Sequence, residues 1–370
     1  MKNLLDSIED VLLMGPGPSC VYPQVYKALA RPTIGHLDPE FIRIMDEIKE
    51  MLRKIMRTDN LLTLPVSGTG SAGMETSFVN LVEPGDDVLV LKNGVFGMRM
   101  ADVAARLGAD VDVLEFDWGT PVILEKVKEQ LDKKAYALVA VVHAETSTGV
   151  RNPVEEIASL LKGKESLFLV DAVTSLGGIP VLTDQWGADI VYSGTQKCLS
   201  CPPGLSPLTF SQRAVDKLKR RKTKVPNWYL DLSMIMDYWE GSTRAYHHTA
   251  PVNMLYGLYQ SLIMILEEGL ETVYKRHWDS HRLLVDLLQP LGFEMLVEEE
   301  FRLPMLNAVK VPAGVDEAEV RARLLKEYKI EIGAGLGPLA GKIWRIGVMG
   351  HTARKENIQR LADALKSISA

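Results

Sequence analysis

Short, unbroken runs of apolar residues recur through the first two thirds of the 370-residue chain, with helical patterns between them. Runs that are apolar at nearly every position predict strands covered on both faces of a mainly parallel sheet. The predicted strands are 87–91, 137–142, 167–170 and 189–192, and the helices between and beside them are 97–107, 124–131 and 153–161. This order predicts an α/β fold with a large three-layer α/β/α domain.

The pattern changes in the last third of the chain, where a long helical stretch is followed by shorter elements. The helical stretch covers 253–288, short strands are predicted at 307–311 and 342–346, and helices at 317–328 and 355–368. A chain of this length exceeds the size at which one hydrophobic core usually stops growing. We therefore predict an N-terminal arm (1–20), a large domain (21–266) and a smaller C-terminal α+β domain (267–370).

Charge and cysteine content limit the partners to be expected. With a net charge of -6 and 24% charged residues, nothing indicates a nucleic acid or an anionic membrane surface as a partner. Asp6, Glu9 and Asp10 stand where a secretory signal has its apolar core, and no apolar run approaches the ~18 residues that span a bilayer. Three cysteines, an odd and small number, suit a reducing compartment, so we expect a cytoplasmic protein.

A literal G-x-G-x-x-G, formed by Gly68, Gly70 and Gly73, follows the strand-like residues 61–66 and opens a helical stretch. A dinucleotide site would also need an acidic residue at the end of the next strand to hold a ribose hydroxyl. Here the acids Asp86 and Asp87 precede that strand, so a nicotinamide or flavin site is disfavoured. The small residues still allow backbone amides at a helix N-terminus to approach a phosphate. Close packing of helix on strand remains an equal explanation of these residues alone.

Asp171 follows an apolar run, and Lys197 stands 26 residues later in a predicted loop. Each residue alone has a plainer explanation, because an Asp after a strand commonly caps a turn and a loop Lys is commonly solvated. Together with a phosphate site upstream they match the needs of pyridoxal phosphate: a carboxylate that keeps the pyridine nitrogen protonated and an amine for the Schiff base. Phe96, just after a strand, could stack on the ring, although a core Phe would occupy the same position.

These residues belong to a set of separated matches, in order, through nearly the whole chain. The matching segments are 14–19, 34–39, 143–149, 171–178, 192–199, 245–249, 335–337 and 341–347. The chain resembles the class V, fold-type I aminotransferases, and within them the alanine/serine–glyoxylate aminotransferase group. The resemblance implies a fold-type I pyridoxal-phosphate-dependent transferase that acts on a small amino acid and a small 2-oxo acid.

By this resemblance, Lys197 forms the Schiff base with the cofactor and, once displaced by the substrate amine, moves a proton from the substrate Cα to the cofactor's C4′. Asp171 would pair with the pyridinium nitrogen, with Val173 on one face of the ring and Phe96 on the other. The family often has Trp at the position of Phe96, so this chain departs from the pattern with a smaller contact area. The remaining implied cofactor contacts are Thr69, Gly70, Ser71 and Gln196 for the phosphate and Thr146 for the ring hydroxyl.

The resemblance also implies a homodimer with shared active sites, because Tyr246 and Thr249 occupy positions that reach into the neighbouring subunit's site in this family. The adjacent His247 and His248 could suggest a metal, but neighbouring side chains point apart in a helix or a strand and no third ligand is at hand, so no metal is expected. Cys198 and Cys201 form a C-x-x-C without the second pair that zinc would need, so a redox or metal role is disfavoured.

For the substrate, the resemblance assigns the α-carboxylate to Arg345, whose planar guanidinium can hold it with two parallel hydrogen bonds. Gly15 and His36 would line the same pocket. No second arginine for a side-chain carboxylate is obvious, which favours alanine or serine as donor and glyoxylate or pyruvate as acceptor.

Several alternatives remain open at this point. The (S)-ureidoglycine–glyoxylate aminotransferases resemble the chain almost as closely, but that group uses amide side chains at the positions of His36 and Tyr246, and neither residue is an amide. A desulfurase needs a reactive cysteine in the last third, and no cysteine follows Cys201. Another pyridoxal-phosphate lyase or an NAD-dependent enzyme is less favoured. A non-catalytic protein of this fold would have no reason to keep Lys197, Asp171 and Arg345 together.

Overall fold

The computed structural model describes residues 3–241 and 244–369. Its strands are β1 Leu12–Leu13, β2 Leu62–Ser67, β3 Asp87–Lys92, β4 Asp110–Glu115, β5 Leu138–Val142, β6 Ala144–Glu145, β7 Val150–Arg151, β8 Leu167–Asp171, β9 Ile190–Tyr192, β10 Leu205–Phe210, β11 Leu306–Lys310, β12 Ile330–Glu331, β13 Gly333–Ala334 and β14 Ile343–Gly347. Its helices are α1 Pro23–Leu29, α2 Pro39–Met56, α3 Gly70–Leu81, α4 Val95–Arg106, α5 Leu124–Lys133, α6 Val154–Leu161, α7 Thr183–Trp186, α8 Gln212–Lys219, α9 Leu232–Trp239, α10 Val252–Glu268, α11 Leu270–Leu288, α12 Glu317–Tyr328 and α13 Lys355–Ser369.

A seven-stranded sheet in the order β2-β10-β9-β8-β5-β3-β4 forms the centre of the fold. Neighbouring strands from β9 to β4 run parallel, whereas β10 is antiparallel to both of its neighbours, β2 and β9. Every residue of β5 and β8 is buried, so both faces of the sheet are covered. The sequence prediction of a mainly parallel, doubly covered sheet is therefore confirmed.

The topology brings the carboxyl ends of several strands to one edge of this sheet. Because β10 is antiparallel to both β2 and β9, β2 points the same way as β9 and the other parallel strands. At this edge, β2 leads into α3 and β3 leads into α4. The same edge holds Asp171, at the end of β8, and the segments that follow β5 and β9, which contain Thr146 and Lys197. Ligands of open α/β sheets bind at this edge.

A second hydrophobic core lies in the C-terminal third, around the three-stranded sheet β11-β14-β13 and helices α12 and α13. The N-terminal segment belongs to it, because β1 pairs in parallel with β12 and both Leu12 and Met14 pack there. The predicted boundary near residue 267 falls at the end of α10, and the division into domains stays a prediction. The helical stretch predicted at 253–288 is two helices, because Gly269 adopts φ 86° between α10 and α11.

Across the described ranges, no helix is both long and apolar enough to cross a membrane.

Candidate active site

Lys197 lies in the loop after β9 and is 8% exposed. Its Nζ donates a hydrogen bond to the Pro16 carbonyl, and a Cβ on Gly17 would lie 2.6 Å from the same nitrogen. Ser19 ties the N-terminal segment to this loop, because its Oγ donates to the Lys197 carbonyl at 2.7 Å and its amide donates to the Gln196 carbonyl at 2.9 Å. Burial, with the charge of Arg345, lowers the pKa of Lys197 to about 8.

Asp171 ends β8 and is 3% exposed. Its Oδ2 accepts a hydrogen bond from the Tyr192 hydroxyl at 2.7 Å, and its Oδ1 accepts one from the Val173 amide at 2.8 Å. Burial raises the pKa of Asp171 to about 6, while these two donors and the charge of Lys197 oppose the rise. Tyr192 carries no signal in the sequence, because its hydrogen bond to Asp171 follows from the alignment of the two residues in the paired strands β8 and β9. We call Ser19, Asp171, Tyr192 and Lys197 the lysine cluster.

The predicted phosphate site is at the N-terminus of α3. Thr69 is the N-cap residue, and Thr69 and Ser71 are exposed. Gly70 is buried between Val173, which follows β8, and the loop after β9 that contains Lys197. A Cβ on Gly70 would lie 3.1 Å from Val173 Cγ2 and 3.7 Å from Gly194 Cα. Gln196 Oε1 is buried and lacks a hydrogen-bond partner among the described residues. The loop before α3, Val173 and Gln196 therefore lie close together in the structure.

Phe96 is hydrogen-bonded to the buried carboxylate of Glu145, the residue that precedes Thr146. Phe96 lies in the first turn of α4, which starts two residues earlier than the predicted helix, and its amide donates to Glu145 Oε2 at 3.2 Å. Thr146 is the next residue along from Glu145 and is buried. The guanidinium of Arg99 stands 4.9 Å from the centre of the Phe96 ring. Glu145 is a residue to which sequence reasoning gave no role, although it stood within a matching segment.

Arg345, in β14, reaches the same place from the second core and is 8% exposed. Its Nε donates to the Ala334 carbonyl at 2.6 Å, and one terminal nitrogen donates to the Thr146 carbonyl at 3.3 Å. Burial lowers the pKa of Arg345 to about 10, opposed by the charge of Glu145. Gly15 is buried beside β14, because a Cβ on Gly347 would lie 1.9 Å from the Gly15 carbonyl oxygen. Arg345 therefore faces the cluster without a carboxylate partner in the part of the chain that the structure describes.

A second group of aromatic residues includes the predicted Tyr246. We call it the aromatic rim, and its members are Trp228, Tyr229, Tyr246, His247 and His248. Trp228, Tyr229 and Tyr246 are exposed, whereas His247 is buried and His248 is half-buried. The hydroxyls of Tyr246 and Thr249 lie 3.4 Å apart, and the His36 ring stands 5.2 Å from that of Tyr246. Within residues 3–241 and 244–369, no hydrogen bond joins Tyr246 or Thr249 to the lysine cluster.

The expectation that the two adjacent histidines point apart is wrong. His247 Nδ1 and His248 Nδ1 lie 2.8 Å apart, since residues 245–249 form neither a helix nor a strand. His247 Nε2 lies 3.2 Å from the Trp228 carbonyl, and His248 Nε2 lies 3.1 Å from Ser67 Oγ. Each ring nitrogen thus has a protein partner. No cluster of three metal-binding side chains occurs among the residues described.

The residues of the lysine cluster and its surroundings fit pyridoxal phosphate. Lys197 offers a buried amine, and Asp171 offers a buried carboxylate for a cationic ring nitrogen. Gly70 and Gly194 keep open a cradle that a Cβ would narrow, and the unpartnered Gln196 oxygen marks a polar group left for a ligand. Phe96 and Val173, both partly exposed, are the apolar side chains at hand for the ring faces.

Comparisons with known proteins agree with this geometry. Residues 20–361 match the family Aminotransferase class-V. Alanine–glyoxylate aminotransferase of Rattus norvegicus is 43% identical over 363 residues, which are 97% of this chain and 88% of the rat protein. The crystal structure of alanine–glyoxylate aminotransferase from Nostoc sp. superposes with a TM-score of 0.96 at 47% identity and covers 100% of both chains. That of ureidoglycine–glyoxylate aminotransferase from Bacillus subtilis gives 0.96 at 39% identity, over 98% of this chain and 93% of that one.

Proposed function

The chain belongs to the class-V aminotransferase family and has the fold of fold-type I aminotransferases, and from this premise we propose that it transfers the amino group of alanine or serine to glyoxylate or pyruvate with pyridoxal phosphate as cofactor. The observation that carries the proposal is the buried amine of Lys197 beside the buried carboxylate of Asp171. The 43% identity to an alanine–glyoxylate aminotransferase supports it.

Pyridoxal phosphate, when bound, supplies an aldehyde for the substrate amine and a ring that withdraws electrons from the substrate Cα. Lys197 would form the covalent bond with the cofactor aldehyde and later move the proton. A pKa of about 8 suits both tasks, because it leaves a useful fraction of the amine neutral near pH 7. Its burial also keeps water away from the reacting atoms.

The other residues bind and orient. Asp171 would hold the ring nitrogen protonated, and Tyr192 and Val173 fix its two oxygens. Thr69, Gly70, Ser71 and Gln196 would hold the phosphate at the N-terminus of α3, where the first amides of the helix have no partner inside it. Thr146 would contact the ring hydroxyl, with Phe96 and Val173 on the two ring faces.

Arg345 would bind the substrate α-carboxylate, because its buried guanidinium donates only to backbone carbonyls in the described chain and has donors to spare. Holding the carboxylate fixes which bond of the Cα breaks. Gly15 and His36 would complete the pocket for a small side chain.

A second donor, (S)-ureidoglycine, is favoured by the Bacillus subtilis relative, whose structure is as close as that of the Nostoc enzyme. Alanine or serine is favoured as donor because neither His36 nor Tyr246, whose rings lie 5.2 Å apart, carries the amide that the ureidoglycine group uses at these positions.

The proposed enzyme is a homodimer in which Tyr246 and Thr249 contribute to the partner's active site. The support is their exposure. Tyr246 is 61% exposed, and in the described chain its hydroxyl has a single hydrogen-bonding neighbour, the Thr249 hydroxyl at 3.4 Å. The three cysteines are free thiols, and this supports a cytoplasmic location.

An absorbance titration of the holoenzyme tests the function. Alanine, serine and (S)-ureidoglycine are added separately, and each productive donor converts the visible band of the aldehyde form into that of the amine form, which glyoxylate or pyruvate then reverses. The Lys197→Ala variant is the control and should not turn over. If no donor converts the band, the aminotransferase proposal is wrong; if only ureidoglycine does, the donor assignment is wrong.

A further inference from the structure

Glu145, at the end of β6, is fully buried and is contacted by hydrogen-bond donors. The amide and the hydroxyl of Ser147 donate to its Oε1 at 3.0 and 2.6 Å, and the Phe96 amide donates to its Oε2 at 3.2 Å. Burial raises the pKa of Glu145, and the hydrogen bonds that Ser147 and the Phe96 and Gly97 amides donate to it oppose the rise by favouring the ionised form.

The donors also show what this carboxylate does for the backbone. The first amides of a helix have no partner inside it, and the N-cap of α4 is Gly94, which has no side chain to supply one. Ser147 Oγ accepts from the Val95 amide at 3.0 Å and donates its own hydrogen bond to Glu145, which also accepts from the Phe96 amide. Glu145 and Ser147 thus cap α4 from a different segment.

Gly94 permits this approach. A Cβ at position 94 would lie 2.4 Å from Glu145 Cδ and 2.5 Å from Ser147 Oγ. The backbone of Gly94 is extended, so space and not conformation requires glycine there.

Glu145 also acts on the groups that the mechanism uses. Burial raises the pKa of Asp171 and of Tyr192, and the charge of Glu145 adds to both shifts. Glu145 makes no ion pair with Arg345 within the described residues, so it does not occupy the donors of that guanidinium.

We propose that Glu145 is a positioning residue for transamination: by capping the first turn of α4 it fixes Phe96 beside the cofactor ring. This rests on the proposed function, because the position of Phe96 matters only if a ring lies against it. Capping of α4 by Glu145 is independent of that function.

The test is Glu145→Gln, which keeps the shape but puts an NH₂ group where two backbone amides already donate. The matched control is Asp316→Asn, since Asp316 caps α12 through the Ala318 and Glu319 amides in the second core. In the apoprotein, hydrogen exchange of the Val95, Phe96 and Gly97 amides should accelerate by about tenfold or more in Glu145→Gln, the equivalent of one lost charge-assisted bond. The control should leave these three amides unchanged.

In the holoenzyme, the dissociation constant of pyridoxal phosphate should rise about tenfold in Glu145→Gln and stay within twofold in the control. KM for glyoxylate should stay within twofold of the wild-type value, because Glu145 makes no hydrogen bond to Arg345 within the described residues. Unchanged amide exchange and unchanged cofactor affinity overturn the inference while leaving the proposed function intact. A wild-type protein that binds no pyridoxal phosphate overturns the proposed function and this inference with it, and the exchange of the three amides then still reports whether Glu145 caps α4.

Discussion

The lysine cluster and the aromatic rim differ in how much of their burial and hydrogen bonding a single chain supplies. Every member of the lysine cluster is buried, and each polar side chain has a partner in the same chain, from the Pro16 carbonyl at Lys197 to the Tyr192 hydroxyl at Asp171. In the rim, Trp228 is 60% and Tyr246 is 61% exposed, and only the two histidines are well bonded. Large aromatic side chains left this open on an enzyme surface indicate a binding face.

This contrast supports the proposal that the chemistry depends on the lysine cluster of one chain and the assembly on the rim. The cluster is preorganised by strand register and by the N-terminal segment, so substitutions there should alter catalysis without altering assembly. Substitutions in the rim should weaken assembly, because its exposed surface lies where a second copy is proposed to pack, and should alter catalysis only through the partner's active site, to which Tyr246 is proposed to contribute.

The largest effect is expected from Asp171→Asn in the cluster. Loss of the carboxylate leaves a buried cationic ring without its partner, which costs about 3–5 kcal/mol, so kcat should fall by about 100-fold or more. Single-turnover kinetics with alanine measure it. Tyr192→Phe is the matched control, because it removes one bond to Asp171 and keeps the charge, and it should cost about tenfold. Equal, small effects of both variants would refute the role of the carboxylate.

Arg345→Lys tests whether Arg345 binds the substrate α-carboxylate beside the lysine cluster. An ammonium group cannot reproduce the two parallel hydrogen bonds of a guanidinium, so KM for glyoxylate should rise by about 30-fold with kcat changed much less. The same substitution at Arg151, which donates to the Glu300 carbonyl, is the control and should leave KM unchanged. A KM that stays at the wild-type value would remove Arg345 from the carboxylate site.

Trp228→Ser tests the rim. Removing a large apolar side chain from a packed interface costs about 2 kcal/mol, so the dissociation constant of the dimer should rise by about tenfold or more, as sedimentation over a concentration series would show. Leu325→Ser, at an exposed position of α12, is the matched control. A wild-type protein that sediments as a monomer contradicts the account of the rim.

The smallest effect is expected from Ser19→Ala. The variant loses the hydroxyl bond to the Lys197 carbonyl and keeps the backbone bond to Gln196, so kcat should fall by about fivefold, the equivalent of roughly 1 kcal/mol. Ser159→Ala removes a hydroxyl bonded to the carbonyl of Glu155 on an exposed helix and should leave kcat unchanged. If both variants behave alike, the N-terminal segment does not position the lysine loop.

Much of the fold could be predicted from local pattern, and the exceptions have physical causes. The buried strands β3, β5, β8 and β9 appear in the sequence as apolar runs. The edge strand β4 alternates acidic and apolar residues, and β10 contains Pro207, so neither gives that signal. Both were absent from the sequence prediction.

For the site, spacing and resemblance identified Asp171 and Lys197, and the structure brings them together. The hydrogen bond from Tyr192 to Asp171 depends on the register of β8 with β9, which one sequence does not specify. The same is true of the hydrogen bond from Phe96 to Glu145, which joins α4 to a residue 49 positions later in the chain. Partners joined by tertiary contact leave no periodic signal.

Everything proposed for the active site depends on a covalent bond between the Lys197 nitrogen and the aldehyde carbon of the cofactor. The most direct test is to treat the holoenzyme with borohydride, which reduces the bond between the lysine nitrogen and the cofactor to a stable amine, and to locate the added mass by peptide mass spectrometry. The account predicts the label on the peptide that contains Lys197 and its loss in Lys197→Ala. A label on another lysine, or none in a protein saturated with pyridoxal phosphate, would contradict it.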